Sequence, residues 1–191
     1  ALAEAEYLPL TIQSLYCNRP DNVLRNTLIL VVVNNRLPET GAKENQGDLA
    51  DQSENNATTL TWLDNASRDS SYSLAWIDAS SPGNELPPWG GVGLARKIGC
   101  DSILSYLLQY DSSAALKNFI FYSLDADSLV SADYLSAAMH ELHRNQCAGG
   151  TMPFKHQQAD SEEGQSVIDA YEAFLHYYVA GLRWAGSPYA F

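Results

Sequence analysis

The sequence predicts an α/β fold, a three-layer sandwich with a mostly parallel central sheet. Three observations predict it. Short apolar runs alternate along the chain with segments of helical period, the pattern of a sheet covered by helices. The first such run, LILVVV at residues 28–33, is β-branched and apolar on both sides, as a strand buried on both faces requires. Polar residues gather where the runs end, which is where ligands bind in open sheets of this class.

Taken in order, Leu8, Ile12, Leu15 and Tyr16 recur at helical spacing, so a first helix is expected over residues 4–17. NRPDN breaks it, and the first strand follows. Residues 36–56 are polar and rich in turn formers, so a loop is expected there, with a helix starting near Asn56. SYSLAWIDAS is the second strand, and the Pro/Gly loop SSPGNELPPWGG follows it. GVGLARKIGCDSILSYLLQY is helical by period, marked by Leu94, Ile98, Ile103, Leu107 and Leu108. NFIFYSL reads as a third strand and ends in Asp125-Ala126-Asp127. Ser131 or Asp133 then caps a helix over ADYLSAAMHELHRN. CAGGTMPF reads as a short fourth strand. SVIDAYEAFLHYYVAGLRWAG reads as a long amphipathic helix whose apolar side carries Ile168, Tyr171, Phe174, Leu175, Tyr178 and Leu182, the core face of that helix.

The 191 residues fit a single domain, 1–191, with a proper core. The formal net charge of −12 argues against a nucleic-acid partner, whose affinity comes largely from Lys and Arg on phosphates. It does not exclude a small phosphate-bearing ligand, for which Arg96, Lys97, Lys155 and Arg183 are candidate cations. Three widely spaced cysteines form neither a CxxC pair nor a disulfide framework, so a reducing compartment is the simpler reading. No apolar run approaches the length of a membrane-spanning helix. No strand precedes the first helix, so the chain is expected to be a fragment that lacks the first strand.

Asp125 and Asp127 are the main candidates for chemistry. Residues two apart on an extended chain point the same way, so both carboxylates face one side. Mn²⁺ and Mg²⁺ take oxygen ligands, and Mg²⁺ typically uses one or two carboxylates beside substrate phosphates. Spacing alone leaves two readings open: a metal carrying a diphosphate, or aspartates that start a turn and cap a helix. In GGVGLARKIG, glycines precede a helix and Arg96-Lys97 stand in its early turns, a pattern favourable to anions. It is neither a P-loop nor a GxGxxG fingerprint, and taken alone a flexible loop with a solvated Arg-Lys pair is the better explanation. His140, His143 and Cys147 have a zinc-like spacing with no fourth ligand nearby. His156 and His176 have no evident partner. Asn56-Ala-Thr58 and Asn65-Ala-Ser67 match glycosylation sequons without a secretory signal beside them.

In this order the pieces resemble a family 2 glycosyltransferase of the GT-A (nucleotide-diphospho-sugar transferase) fold, a Rossmann-like class. EAEYLPLTIQSL resembles the helix after that family's first strand, and LILVVVNN the strand that usually ends in aspartates. GVGLARKIGCDSIL resembles its Ala-Arg-Asn-x-Gly helix. IFYSLDADSLVSADYLSAA resembles the strand, DxD and following helix, and GGTMPF and YEAFLHYYVAGLRWAGSPYAF resemble what comes next. The resemblance implies a metal-dependent, inverting glycosyltransferase that moves a sugar from a nucleotide-diphosphate donor to a saccharide or lipid acceptor. It implies Mn²⁺ or Mg²⁺ at Asp127, with Asp125 helping on metal or donor. It implies Arg96 and Lys97 near the donor, and Asn35 where a family aspartate contacts the nucleotide base. It implies a cytoplasmic location, with peripheral attachment to the inner face of the membrane as an option. Asn34-Asn35 replaces the family's usual Asp pair, and an amide both donates and accepts where a carboxylate only accepts. The family's Glu-Asp base would lie beyond Phe191, so no catalytic base is assigned within the chain.

Two other classes remain to be weighed. A nucleotide-sugar binding module that kept the fold without catalysis would explain Asn34-Asn35. A phosphatase of the haloacid dehalogenase class also ends a strand in DxD, but places it near the N-terminus and needs a later acidic pair that is not seen here.

Overall fold

The computed structural model describes residues 1–38, 46–69, 72–110 and 119–187. Residues 39–45 of the expected polar loop, Ser71 and Asn118 at the starts of two expected strands, and the tail 188–191 lie outside the described residues. The chain divides into two compact units, Ala1–Glu141 and Leu142–Phe191.

The first unit is mixed α/β. Helix α1 spans Leu8–Tyr16 and the short α2 spans Asp21–Arg25. Strand β1 (Leu28–Asn34) and strand β2 (Ser73–Ala79) pair in parallel, with Val33 opposite Asp78 and Asn34 opposite Ala79. Helix α3 (Gln46–Asp69) connects them. Helix α4 (Val92–Tyr110) follows β2, and α5 (Tyr134–Asn145) begins in this unit.

Alternation along β1 sends side chains to opposite faces. Val31 and Val33 join a buried cluster with Leu8, Ile12 and Leu15 of α1, Leu24 of α2, Leu63 of α3 and Leu135 of α5. Val32 faces the other way and packs with Ala79, Leu86 and Ala95. Helix α4 comes close to β1 at Gly99, where an added Cβ would stand 3.2 Å from Val32 Cγ2. Along the other edge of β1, Ala1 N donates to the Val32 carbonyl (2.7 Å) and Asn34 N donates to the Ala1 carbonyl (2.9 Å). That two-bond pattern is the unit of a parallel ladder.

The α/β alternation and the parallel pairing are as the sequence predicts; the extent of the sheet is not. Among the described residues the sheet has two strands, β1 and β2, rather than four. Residues 119–125 run without a ladder, and so do 147–154. Burial still alternates strictly from Phe119 to Val130, with even-numbered residues turned inward. Tyr122, Leu124, Ala126 and Val130 pack on the main core. The local signal for an extended chain is therefore present, but a strand also needs a neighbouring row of N–H and C=O groups in register.

Three further expectations change. Helix α3 begins at Gln46, not near Asn56, because its polar first turns hide the period that reveals the rest. The first turn of α5 is capped from far away: Asn18 Oδ1 accepts from Leu135 N (3.0 Å), while Asp133 Oδ1 accepts from Ser131 Oγ (2.6 Å).

The third change lies in the second unit. Helix α6 spans Glu162–Trp184 and starts at Ser161, whose Oγ accepts from Gly164 N (3.1 Å), with Glu162 and Glu163 in its first turn. No residue of α6 is buried. Ile168, Glu172, Leu175, Val179 and Leu182 form its half-covered stripe, whereas Tyr171, Phe174 and Tyr178, expected on the core face, are exposed. An apolar face of a helix is covered only where other chain packs against it. Among the described residues no helix is long and apolar enough to cross a membrane.

Candidate functional site

Asp125 and Asp127 are both exposed, but the extended segment expected to carry both ends at Asp125. The chain turns at Ala126-Asp127, and Ser128 N donates to the Asp125 carbonyl (3.2 Å). Helix α4 brings Arg96 to this place, where its guanidinium forms an ion pair with Asp125 Oδ1. Two motifs separated by 29 positions in sequence thus meet at one carboxylate. Glu4 lies nearby as well. Burial first, and then the Asp127 and Asp125 carboxylates, push the Glu4 carboxyl above the ordinary carboxylate range. No sequence signal singled out Glu4.

Lys97 goes elsewhere. It pairs with Asp101 one turn along α4, the ordinary arrangement of a solvated helix face. Asn35 sits at the end of β1 and is only 8% exposed. Its Oδ1 accepts from Arg36 N (3.0 Å), its N–H donates to Ala79 O (3.0 Å), and its carbonyl accepts from Leu86 N (2.8 Å). Asn34, 7% exposed, receives Asn56 Nδ2 on its carbonyl (3.2 Å). Asn56 Oδ1 in turn accepts from Ala3 N (2.9 Å). Asn56 is 2% exposed with both amide atoms engaged, so in the folded chain its sequon is closed to a modifying enzyme.

Asp78 at the end of β2 organises its own turn. Its Oδ1 accepts from Ser80 N (3.0 Å), Ser80 Oγ (3.1 Å) and Ser81 N (2.9 Å), and its Oδ2 accepts from Asn84 Nδ2 (3.3 Å). Burial pushes this carboxyl up, but the combined hydrogen bonds from Ser81 and Ser80 outweigh it and hold the group down at about 2.

Carboxylate oxygens are the ligand type that hard divalent cations take. Asp125 and Asp127 are two positions apart and exposed, and Arg96 is ion-paired with Asp125. Among the described residues no group of three or more His, Cys, Asp or Glu comes together to hold a metal with protein ligands alone. A surface depression on α3, lined by Glu54, Ala57, Thr58, Thr61, Trp62 and Asn65, contains none of these residues.

The second unit holds a pair that the sequence does not reveal. Glu172 Oε1 accepts from His156 N (2.9 Å) and lies 2.9 Å from His156 Nδ1. The backbone and then the ring hydrogen bond of His156 hold the Glu172 carboxyl below its usual range. Phe154 and Tyr171 both stand edge-on to the imidazole, each 5.5 Å between ring centres. A loop histidine and a helix glutamate 16 positions apart give no shared period, so only the folded chain pairs them.

A scan against protein-family models, a search of curated proteins and a search of solved structures each returned no match.

Proposed function

We propose that the chain is the donor-binding part of a metal-dependent glycosyltransferase that uses a nucleotide-diphosphate sugar. One observation carries the reading: Arg96, from the helix that resembles the family's Ala-Arg helix, ion-pairs with Asp125 of the Asp125-Ala126-Asp127 motif. Either motif alone is weak, and chance gives two unrelated motifs no reason to share a carboxylate.

In this reading Asp127, with Asp125, would hold Mn²⁺ or Mg²⁺, which supplies Lewis-acid assistance to the departing nucleoside diphosphate. Arg96 would provide a fixed positive group for the diphosphate oxygens. Asn35, buried with its Oδ1 on Arg36 N, and Lys97, tied to Asp101, are left out of the donor contacts in this reading. An acceptor hydroxyl, of a saccharide or lipid, would attack the anomeric carbon as the diphosphate leaves and lose its proton to a base.

Calorimetric titration of UDP- and GDP-sugars, with and without Mn²⁺, tests the proposal. Metal-dependent binding that disappears in Asp127→Ala is expected. Binding indifferent to both the metal and Asp127 would sink it.

A further inference from the structure

The segment that carries Asp125 and Asp127 has no ladder among the described residues, so something other than a sheet must fix its backbone. Helix α1 does so with side chains. Thr11 Oγ1 donates to the Ala126 carbonyl (2.8 Å). Ser14 Oγ accepts from Val130 N (3.2 Å) and donates to the Thr11 carbonyl (2.8 Å). Asn18, just past the end of α1, donates through Nδ2 to the Ser131 carbonyl (3.3 Å) and accepts Leu135 N on Oδ1 (3.0 Å). Positions 11, 14 and 18 are three and four apart, so they form one stripe beside the apolar stripe Leu8, Ile12 and Leu15.

Thr11 is 3% exposed and Asn18 1% exposed. Burying these polar groups is costly unless their partners are in place. An apolar side chain at either position would suit a helix face packed against a core. Their bonds instead go, at successive points, to the backbone that includes the two aspartates. The Ala126 carbonyl matters most. It belongs to the rigid peptide plane that joins Ala126 to Asp127, so holding it sets how Asp127 is directed relative to Asp125.

We propose that Thr11, Ser14 and Asn18 are positioning residues for the Asp125–Asp127 pair, with Thr11 setting the plane between the two carboxylates. The inference rests on the glycosyltransferase reading and deepens it: the metal-ligand geometry is built by α1 rather than by a strand neighbour.

The test compares Thr11→Val, which keeps the shape and loses the donor, with Thr11→Ser, which keeps the donor. Mn²⁺-dependent binding of UDP and of GDP is measured on the whole chain, at a temperature where each variant is fully folded. Loss of one buried hydrogen bond predicts a Kd about fivefold higher in Thr11→Val. Thr11→Ser restores it, and Leu24→Val, a core change outside the seam, leaves Kd unmoved. Unchanged Kd in Thr11→Val, or an equal rise in Leu24→Val, overturns the positioning role. If the unmutated chain binds neither nucleotide with Mn²⁺, the glycosyltransferase reading falls and the positioning role falls with it. Should Thr11→Val fail to fold, Ser14→Ala at a half-buried site puts the same question to the same seam, with the same two deciding outcomes.

Discussion

Two polar clusters stand at the ends of extended segments, and they are used in opposite ways. Asn34 and Asn35 at the end of β1 are buried, and their polar atoms meet Ala79, Leu86, Asn56 and Arg36. Asp125 and Asp127 are exposed, α1 holds the backbone between them through Thr11, and Asp125 pairs with Arg96. A buried amide with internal partners holds a fold together. An exposed pair of carboxylates, one of them paired with a guanidinium, stays in contact with solvent. The comparison teaches that position at the end of an extended segment does not by itself make a site; what differs is whether the neighbours bury the side chain or leave it in contact with solvent.

The contrast can be broken from either side. The largest expected effect is on function: Asp127→Ala should weaken Mn²⁺-dependent nucleotide-sugar binding by roughly 100-fold while leaving the melting temperature almost unchanged, since removing an exposed side chain costs little stability. Calorimetry and thermal unfolding on the same variant check both halves, and a large fall in melting temperature would erase the distinction. Next comes the buried cluster. Asn56→Ala removes the partner of Ala3 N and of the Asn34 carbonyl and should cost about 2 kcal/mol in urea unfolding.

Asp78 sharpens the same point by pH. Its carboxyl is held at about 2, below an ordinary 3.8, so it stabilises the fold above the ordinary range and loses that contribution as pH falls from about 4 to about 2. Because the group is partly solvated, the contribution is discounted to about 1 kcal/mol. Unfolding curves at pH 5 and pH 2.5 should differ less for Asp78→Asn than for the unmutated chain.

The smallest effect is expected at Arg96. Its ion pair with Asp125 is solvent-exposed on both sides, so Arg96→Ala should change stability by under about 0.5 kcal/mol. Donor affinity should nevertheless fall, and more steeply at low salt, where the guanidinium is least screened. A stability loss with no change in affinity would assign Arg96 to structure and place it with Asn56.

Much of the layout was legible in local pattern. The alternating burial of residues 119–125 follows from the extended chain and needed no tertiary information. The Leu8-Ile12-Leu15 stripe and the helix from Val92 to Tyr110 were equally plain. The first turns of α3 were not, because their polar residues carry no hydrophobic period. The number of paired strands was illegible for a different reason: an apolar run states that a segment is extended and half-buried, not what lies beside it. The exposed Tyr171, Phe174 and Tyr178 make the same point for helices, since amphipathicity marks a face without supplying its cover.

The sequence by itself determined the α/β class and the parallel direction of β1 and β2. Both follow from the alternation of apolar runs with helical segments along the chain. Only the tertiary structure decided that Arg96 reaches Asp125 while Lys97 does not, and that Asn35 is buried. It also decided that His156 meets Glu172 and that Asn18 caps a helix beginning more than a hundred residues later. Those outcomes depend on which groups satisfy each other's hydrogen bonds and charges across long loops. Such partners are chosen by the whole chain's packing, which no local period encodes.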